Sequence, residues 1–218
     1  MPWLNRHLDH AGRERIEAAL RTADQATCGE IVPVIARRSA RYGHAPWLAA
    51  ALCLAAAESA DWAGCVMPAW AHRTLAAAAL ALLCAAIGWL LARIPGVRRA
   101  LTPREDRILA VHRAAEAAFH HLALHRARND AGVLLYVSLE ERRAVVLAGA
   151  GIADLAGPAH WEQTCRLLTQ AAAKRDLAGG FEQAIAHAAQ VLSRHHPAVA
   201  GGPAAVLAQR LRILPDAF

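Results

Sequence analysis

Three acidic residues and one arginine stand at the ends of predicted strands. Glu30 opens one apolar run, Asp130 precedes a second, and Glu140 and Arg142 lie in the bend that follows the second run. Carboxylates that converge at strand ends can hold a hard cation such as calcium or magnesium. An arginine nearby can orient a phosphate through two parallel N–H donors. The pattern therefore indicates a metal site at Glu30, Asp130 and Glu140, with Arg142 as the candidate catalytic residue.

A structural interpretation of the same residues stays open. Acidic residues at strand ends are usually solvated turn formers, and Glu140–Arg143 is typical of a hairpin tip whose charges pair with each other. Gly149 and Gly151 follow a strand, but the third glycine of a dinucleotide-binding loop would fall at Asp154. The sequence therefore predicts no dinucleotide cofactor and leaves enzymatic activity undecided.

Two apolar runs, Val133–Val137 and Ala144–Ala148, flank the bend at Leu139–Arg143 and predict a strand, a turn and a second strand. The first run has no polar alternation, which suits a strand covered by helices on both faces. We predict that this pair forms the middle of the sheet. Ile31–Ile35 predicts a further strand, in which Pro33 belongs at an edge or on the outward side of the strand because proline cannot donate to a ladder.

Apolar residues recur at helical spacing in four other segments. These helices run from Asp9 to Ala23, from Thr102 to about His125, along the stripe Trp161–Ala172, and along the stripe Phe181–Leu192. The tail, 198–218, opens as a linker and predicts a short helix around Ala204–Leu214.

The segment between the first strand and the second helix has a different composition. Thr74–Ala92 carries no charge and would be about 28 Å long as a helix, which matches the hydrocarbon core of a bilayer. Trp47–Trp70 is also apolar but contains Glu58 and Asp61. If the strands on either side share one sheet, the chain must cross the membrane an even number of times. The sequence therefore predicts a transmembrane helical hairpin with a short outer loop near Pro68–Arg73.

Charge and cysteine content set the predicted location. The net charge is +6, and arginines bracket the apolar segment, as expected for cytoplasmic flanks of membrane spans. The first thirty residues contain no secretory signal, and the five cysteines form no C-x-x-C pair. We therefore predict a two-span protein of the bacterial inner membrane with both termini in the cytoplasm. Its predicted partners are the lipid bilayer and other membrane proteins, and no nucleic acid.

Two alternatives remain for the acidic residues of the first apolar segment. Glu58 and Asp61 lie three residues apart, so they would share one helix face. In the first alternative, the helix that carries them is re-entrant or interfacial and does not span the membrane. In the second alternative, the pair marks an ion path in an oligomer. The sequence does not decide between these interpretations and the hairpin.

Asn129–Leu134 and Val137–Arg142 resemble the signature of the TPM domain family, and Thr27–Val32 supports the resemblance. The similarity covers about 9–36 and 102–195 and implies helices sandwiching a small mixed sheet. Members of the family are linked to phosphatase activity, to divalent metal binding through acidic loops, and to upkeep of membrane protein complexes. The resemblance therefore implies one of these roles. Gly149 stands where the family often has an acidic residue, which weakens the metal and phosphatase interpretation.

These patterns predict an α/β fold with a small mixed sheet flanked by helices and interrupted by the transmembrane hairpin. The predicted parts are 1–45, the helix and first strand; 46–93, the hairpin; 94–197, the rest of the domain; and 198–218, the tail. The predicted function is a membrane-anchored cytoplasmic module that binds, assembles or maintains membrane proteins. The alternative is a divalent-metal-dependent phosphatase that acts on phosphomonoesters.

Overall fold

The structure is a computed structural model that describes residues 2–5, 7–39, 45–62, 73–91, 94, 96–97, 100, 102–127, 130–198 and 211–214. The chain divides into two compact units. The α/β unit comprises Met1–Ala40 and Ile108–Phe218, and the helical unit comprises Arg41–Arg107. The described helices are α1 (Pro2–Asn5), α2 (His10–Ala26), α3 (Ala45–Trp62), α4 (Arg73–Leu91), α5 (Arg104–His121), a 3-10 turn (Leu124–Arg126), α6 (Ala150–Ala156), α7 (Pro158–Lys174) and α8 (Leu177–His195).

Four strands form one mixed sheet. They are β1 (Glu30–Ala36), β2 (Gly132–Ser138), β3 (Arg143–Ala148) and β4 (Arg212–Leu214), in the order β3-β2-β1-β4. β1 runs parallel to β2 and to β4, whereas β2 and β3 form an antiparallel hairpin. The strands predicted from the apolar runs are confirmed.

Both faces of β1 and β2 are buried, as their unbroken apolar runs require. Odd-numbered residues such as Ile31 and Val133 pack into a core with α2, α7 and α8, while even-numbered residues such as Val34 and Leu134 pack against α5. The period of two along a strand explains this division. The predicted α/β fold with a small mixed sheet flanked by helices is confirmed for the α/β unit.

The prediction that β2 and β3 form the middle of the sheet is wrong. β1 and β2 occupy the centre, and β3 lies at an edge with most of its residues half-buried. Pairing β1 with β2 places the two most apolar strands between the helical layers. The hairpin makes β2 and β3 neighbours in the sheet. It does not determine which of the two strands also pairs with a further strand.

The predicted C-terminal helix is wrong over 212–214, where the chain forms β4, while 199–210 lie outside the described residues. β4 pairs with Val34–Ala36 of β1, and the Arg37 N–H donates to the Leu214 carbonyl at 3.0 Å. Tertiary pairing overrides a weak local preference for helix here. In the described chain, β4 begins its pairing just beyond Pro33, which is consistent with the missing proline N–H.

Helices α3 and α4 pack against each other in the helical unit. Gly88 lies so close to α3 that a Cβ atom on it would stand 2.4 Å from the Ala50 nitrogen. Ala49 and Cys84 are buried beside this contact. Small residues therefore allow the two backbones to approach closely, as is common where apolar helices cross.

The membrane prediction is wrong. Within the part of the chain that the structure describes, no helix combines the length and the apolar character that a membrane span needs. The predicted transmembrane hairpin, the two-span inner-membrane location and the membrane anchor are therefore not retained. Alanine is the commonest residue of α3 and α4 and favours transfer to lipid far less than leucine, and Glu58 and Asp61 oppose it in α3. The predicted loop near Pro68 lies outside the described residues.

Candidate functional site

The sheet separates the three predicted metal ligands. Glu30 begins β1 and is paired with Gly132, so it lies at the same end of the sheet as Asp130. Glu140 lies at the other end, where its N–H donates to the Arg37 carbonyl at 3.0 Å. The seven residue-to-residue steps from Glu30 to Arg37 span about 23 Å at about 3.3 Å per step. One cation with ligands at about 2.0–2.6 Å cannot contact all three carboxylates.

The end of the sheet that holds Glu30 and Asp130 is closely packed. Glu30 is buried, and its N–H donates to the Ala131 carbonyl at 3.0 Å. Asp130 is exposed and has a φ of 51°, a left-handed conformation that aspartate tolerates better than most residues. A Cβ atom on Gly149 would stand 2.1 Å from the Asp130 carbonyl oxygen. The acidic side chain that the family often carries at this place has no room here.

The other end of β1 and β2 holds a buried polar cluster. We call it the Glu141 cluster, and it consists of Ser39, Tyr136, Ser138 and Glu141. The Glu141 carboxylate accepts hydrogen bonds from the Ser138 hydroxyl and, at 3.2 Å, from the Ser39 N–H. The Ser39 and Tyr136 hydroxyls lie 3.1 Å apart, and burial raises the pKa of Tyr136 to about 12. Because these groups are buried, they are not accessible to a ligand from solvent. Their hydrogen bonds instead stabilise the β2–β3 turn.

Arg142 belongs to this turn and is exposed, with a φ of 52°. Arg37 is also exposed and lies at the same end of the sheet, directly after β1. Each of these two side chains is accessible from solvent. The predicted phosphate ligand Arg142 nevertheless lies at the opposite end of the sheet from Glu30 and Asp130, so the geometry does not bring a metal and its phosphate to one place.

The α/β unit also contains a cavity of about 320 Å³ between the start of α2 and the α7–α8 connection. Its charged side chains serve the fold. Asp9 accepts a hydrogen bond from the Gly12 N–H at 2.7 Å, and Asp176 accepts one from the Gly179 N–H at 3.1 Å. Both are N-cap contacts that satisfy the first turns of α2 and α8. We therefore assign no ligand to this cavity.

Metal-binding side chains do not gather elsewhere in the described chain. No group of three or more His, Cys, Asp or Glu residues close enough to share an ion occurs among the residues that the structure describes. The cysteines at 28, 53, 84 and 165 are free thiols, and Cys65 lies outside the described part. The arrangement thus gives little support to a metal centre.

Large apolar side chains line the outside of α3 and α4. Trp47 is 76% exposed and Leu82 is 73% exposed, although residues of this kind are normally buried. We call the whole set the α3–α4 apolar surface, and it consists of Trp47, Leu48, Leu52, Leu82, Leu83, Ile87, Trp89, Leu90 and Leu91. Large apolar side chains that are exposed together on one pair of packed helices are typical of a binding surface. This surface is the strongest candidate functional site.

The sheet order and the helices on both of its faces define an α/β protein with a helical insertion between β1 and β2. Residues 102–191 match the family model of the TPM domain, which confirms the predicted resemblance over this part of the chain. No curated protein matches the chain significantly.

A solved structure is also similar, the NMR structure of the BA42 protein from the psychrophilic bacterium Bizionia argentinensis. The TM-score is 0.58 and the identity is 16%, with 94% of each chain covered. At this identity the similarity shows a common fold alone.

Proposed function

We propose that the protein is a binding or assembly module in which the TPM-like α/β unit accompanies a helical docking surface. The observation that carries the proposal is the exposure of the α3–α4 apolar surface to solvent. Covering one large apolar side chain is worth about 1.5–3 kcal/mol, so a partner that covers several of them would gain substantial affinity. The separation of Glu30 and Asp130 from Glu140 supports binding over metal chemistry.

The partner that fits this surface is an uncharged apolar helix of another protein. The described part of the surface presents leucine, isoleucine and tryptophan, with alanine between them. A helix that is apolar around much of its circumference needs neighbours on several sides. Integral membrane proteins carry helices of this kind, and the role in upkeep of membrane complexes implied by the TPM resemblance agrees with such a partner.

Site-specific photo-crosslinking in cells tests the proposal. A photoreactive phenylalanine replaces Leu82 in one variant and Leu155, which is 53% exposed on α6, in a matched control. We expect the Leu82 variant to form a covalent adduct whose crosslinked peptide maps to an apolar helix of an integral membrane protein. The Leu155 variant is expected to give no such adduct. Adducts that are common to both positions, adducts to a second copy of the chain, adducts to lipid alone, or no adduct would each refute the proposed partner.

The phosphatase alternative keeps one supporting observation, the position of Glu30 and Asp130 at one end of the sheet. If these carboxylates bind a cation, calorimetry should detect calcium or magnesium binding, and Asp130→Asn should weaken it at least about tenfold, because a carboxylate ligand is lost. Asp154→Asn, an exposed aspartate on α6, should leave it unchanged. Absence of binding, or equal effects of the two substitutions, together with no metal-dependent turnover of a phosphomonoester, would remove the alternative.

A further inference from the structure

Two histidine rings stack between α7 and α8. The rings of His160 and His187 are nearly parallel, with an interplanar angle of 5° and centroids 3.8 Å apart. Thr164, one turn after His160 on α7, is fully buried beside them. Trp161 packs its ring edge-on against His160 and donates its indole N–H to the Ala153 carbonyl at 3.1 Å. The two rings are half-buried at the contact between the helices, and Thr164 lies fully buried beneath them.

Hydrogen bonds determine which ring nitrogens carry hydrogen. His160 Nε2 lies 3.0 Å from the His187 carbonyl oxygen, which can only accept, so this nitrogen carries the hydrogen. The Thr164 hydroxyl donates to the His160 carbonyl at 3.0 Å and must then accept from His187 Nδ1, 2.7 Å away. Each neutral ring thus uses its one N–H inside the α7–α8 contact. An added proton would go to the other nitrogen of each ring and would leave these hydrogen bonds formed.

Few compensating charges surround the pair. The residues three and four positions from His160 and His187 on their own helices are all uncharged. Elsewhere the charged groups of the neighbouring elements are directed to other partners: Glu162 pairs with Arg166 on α7, and Glu182 of α8 pairs with Arg15 of α2. Further charged or titratable groups on elements packed against these helices are Asp154 of α6, Arg143 of β3, Glu30 of β1, Tyr136 of β2, and His10, Arg13, Glu14, Glu17, Arg21 and Asp24 of α2. Lys174, Arg194 and His195 lie near the ends of α7 and α8. Burial and the charge of His160 are the influences that act on His187.

We propose that His160, Thr164 and His187 form a proton-sensitive contact that holds α7 against α8 when both rings are neutral and weakens when both rings are protonated. Two imidazolium rings at the observed stacking distance repel each other, with no carboxylate on the neighbouring turns to offset the repulsion. The first proton is tolerated because one neutral ring can still face one charged ring. The second proton requires the rings to separate. A fall to mildly acidic pH therefore weakens the packing of α8 against α7. This helix supplies a large part of the core.

The sign of the pH dependence follows from the environment of His187. Burial, and secondarily the charge on His160, lower the pKa of His187 below its ordinary value of 6.5. The unfolded chain therefore binds the proton more readily than the folded one. This contribution to stability is complete above about pH 6.5 and is lost as the pH falls from that value toward the lowered pKa of the folded state.

Ring titration by NMR in the full chain tests the proposal directly. We expect the His187 ring to titrate with a midpoint below the ordinary value for histidine, because burial and the neighbouring His160 both disfavour its charged form. His160→Gln keeps a donor for the His187 carbonyl but removes one charge, so His187 should then titrate closer to its ordinary value. Titration of His187 at its ordinary value in the unsubstituted protein would overturn the proposal.

Urea unfolding at pH 7.5 and pH 5 provides the second readout. We expect the folded-to-unfolded ratio of the protein to fall more than that of the His160→Gln, His187→Asn double variant, because the unfolded chain binds the proton at His187 more readily than the folded chain does. Asparagine retains a polar group near the position of Nδ1. The control variant His120→Gln should behave like the unsubstituted protein. Equal pH dependence of the protein and the double variant would overturn the proposal, and if the double variant does not fold, the ring titration decides.

Discussion

Replacement of Glu141 by alanine is expected to lower the free energy of unfolding by about 3 kcal/mol, since each buried donor left without an acceptor costs about 1–3 kcal/mol. The carboxylate accepts from the Ser138 hydroxyl and the Ser39 N–H, and all three residues are buried. Urea denaturation followed by far-UV circular dichroism measures the loss.

Glu162→Ala is the matched control, because Glu162 is an exposed glutamate whose ion pair with Arg166 spans 3.7 Å. We expect it to change the free energy of unfolding by less than about 0.5 kcal/mol. Glu141→Gln should lie between the two, since a neutral amide oxygen accepts hydrogen bonds more weakly than the carboxylate does. A loss for Glu141→Ala no larger than that of the control would show that the Glu141 cluster contributes nothing to stability.

Introduction of the family's acidic residue by Gly149→Asp is expected to destabilise the protein by about 2–3 kcal/mol, the cost typical of forcing extra atoms into a packed site. Gly149 is the N-cap of α6, where aspartate normally stabilises a helix. The new Cβ would meet the Asp130 carbonyl oxygen at 2.1 Å, so backbone atoms would have to move. Steric exclusion outweighs capping, and thermal and urea denaturation should both register the loss.

Ala150→Asp is the control for Gly149→Asp. The side chain of residue 150 is exposed in the first turn of α6, where an added carboxylate interacts favourably with the helix dipole. We expect a change within about 0.5 kcal/mol of zero, or a slight gain. A stabilising effect of Gly149→Asp would mean that the backbone at Asp130 can move away at little cost. The absence of an acidic residue at position 149 would then have a cause other than lack of space.

Local sequence patterns predicted the long helices and the first three strands of the α/β unit, because each of these elements carries its own pattern of apolar residues. The run Val133–Val137 and the stripe Phe181–Leu192 were sufficient to predict β2 and α8. The position of β3 at the edge and the strand β4 were not predictable in this way. Both depend on which strand pairs with β1, and that choice is made by packing across the whole sheet.

The candidate sites were harder to predict because their members are distant in sequence. Ser39 and Glu141 are separated by 102 residues, and His160 and His187 by 27. Only the spacing of Ser138 and Glu141 was a local signal, and a serine at a strand end did not reveal that its hydroxyl is buried. For α3 and α4, the apolar composition predicted the helices, whereas the membrane span inferred from it is not supported.

The pairing of β4 with β1 has a consequence for synthesis of the chain. β4 follows every other strand in sequence, so β1 and β2 can pair before Arg212–Leu214 leave the ribosome. During that interval the N–H and C=O groups along Val34–Ala36 form an open strand edge that another chain can occupy. Nascent protein is therefore most prone to edge-to-edge aggregation just before its last strand arrives, when a chaperone that shields β1 would have its greatest benefit.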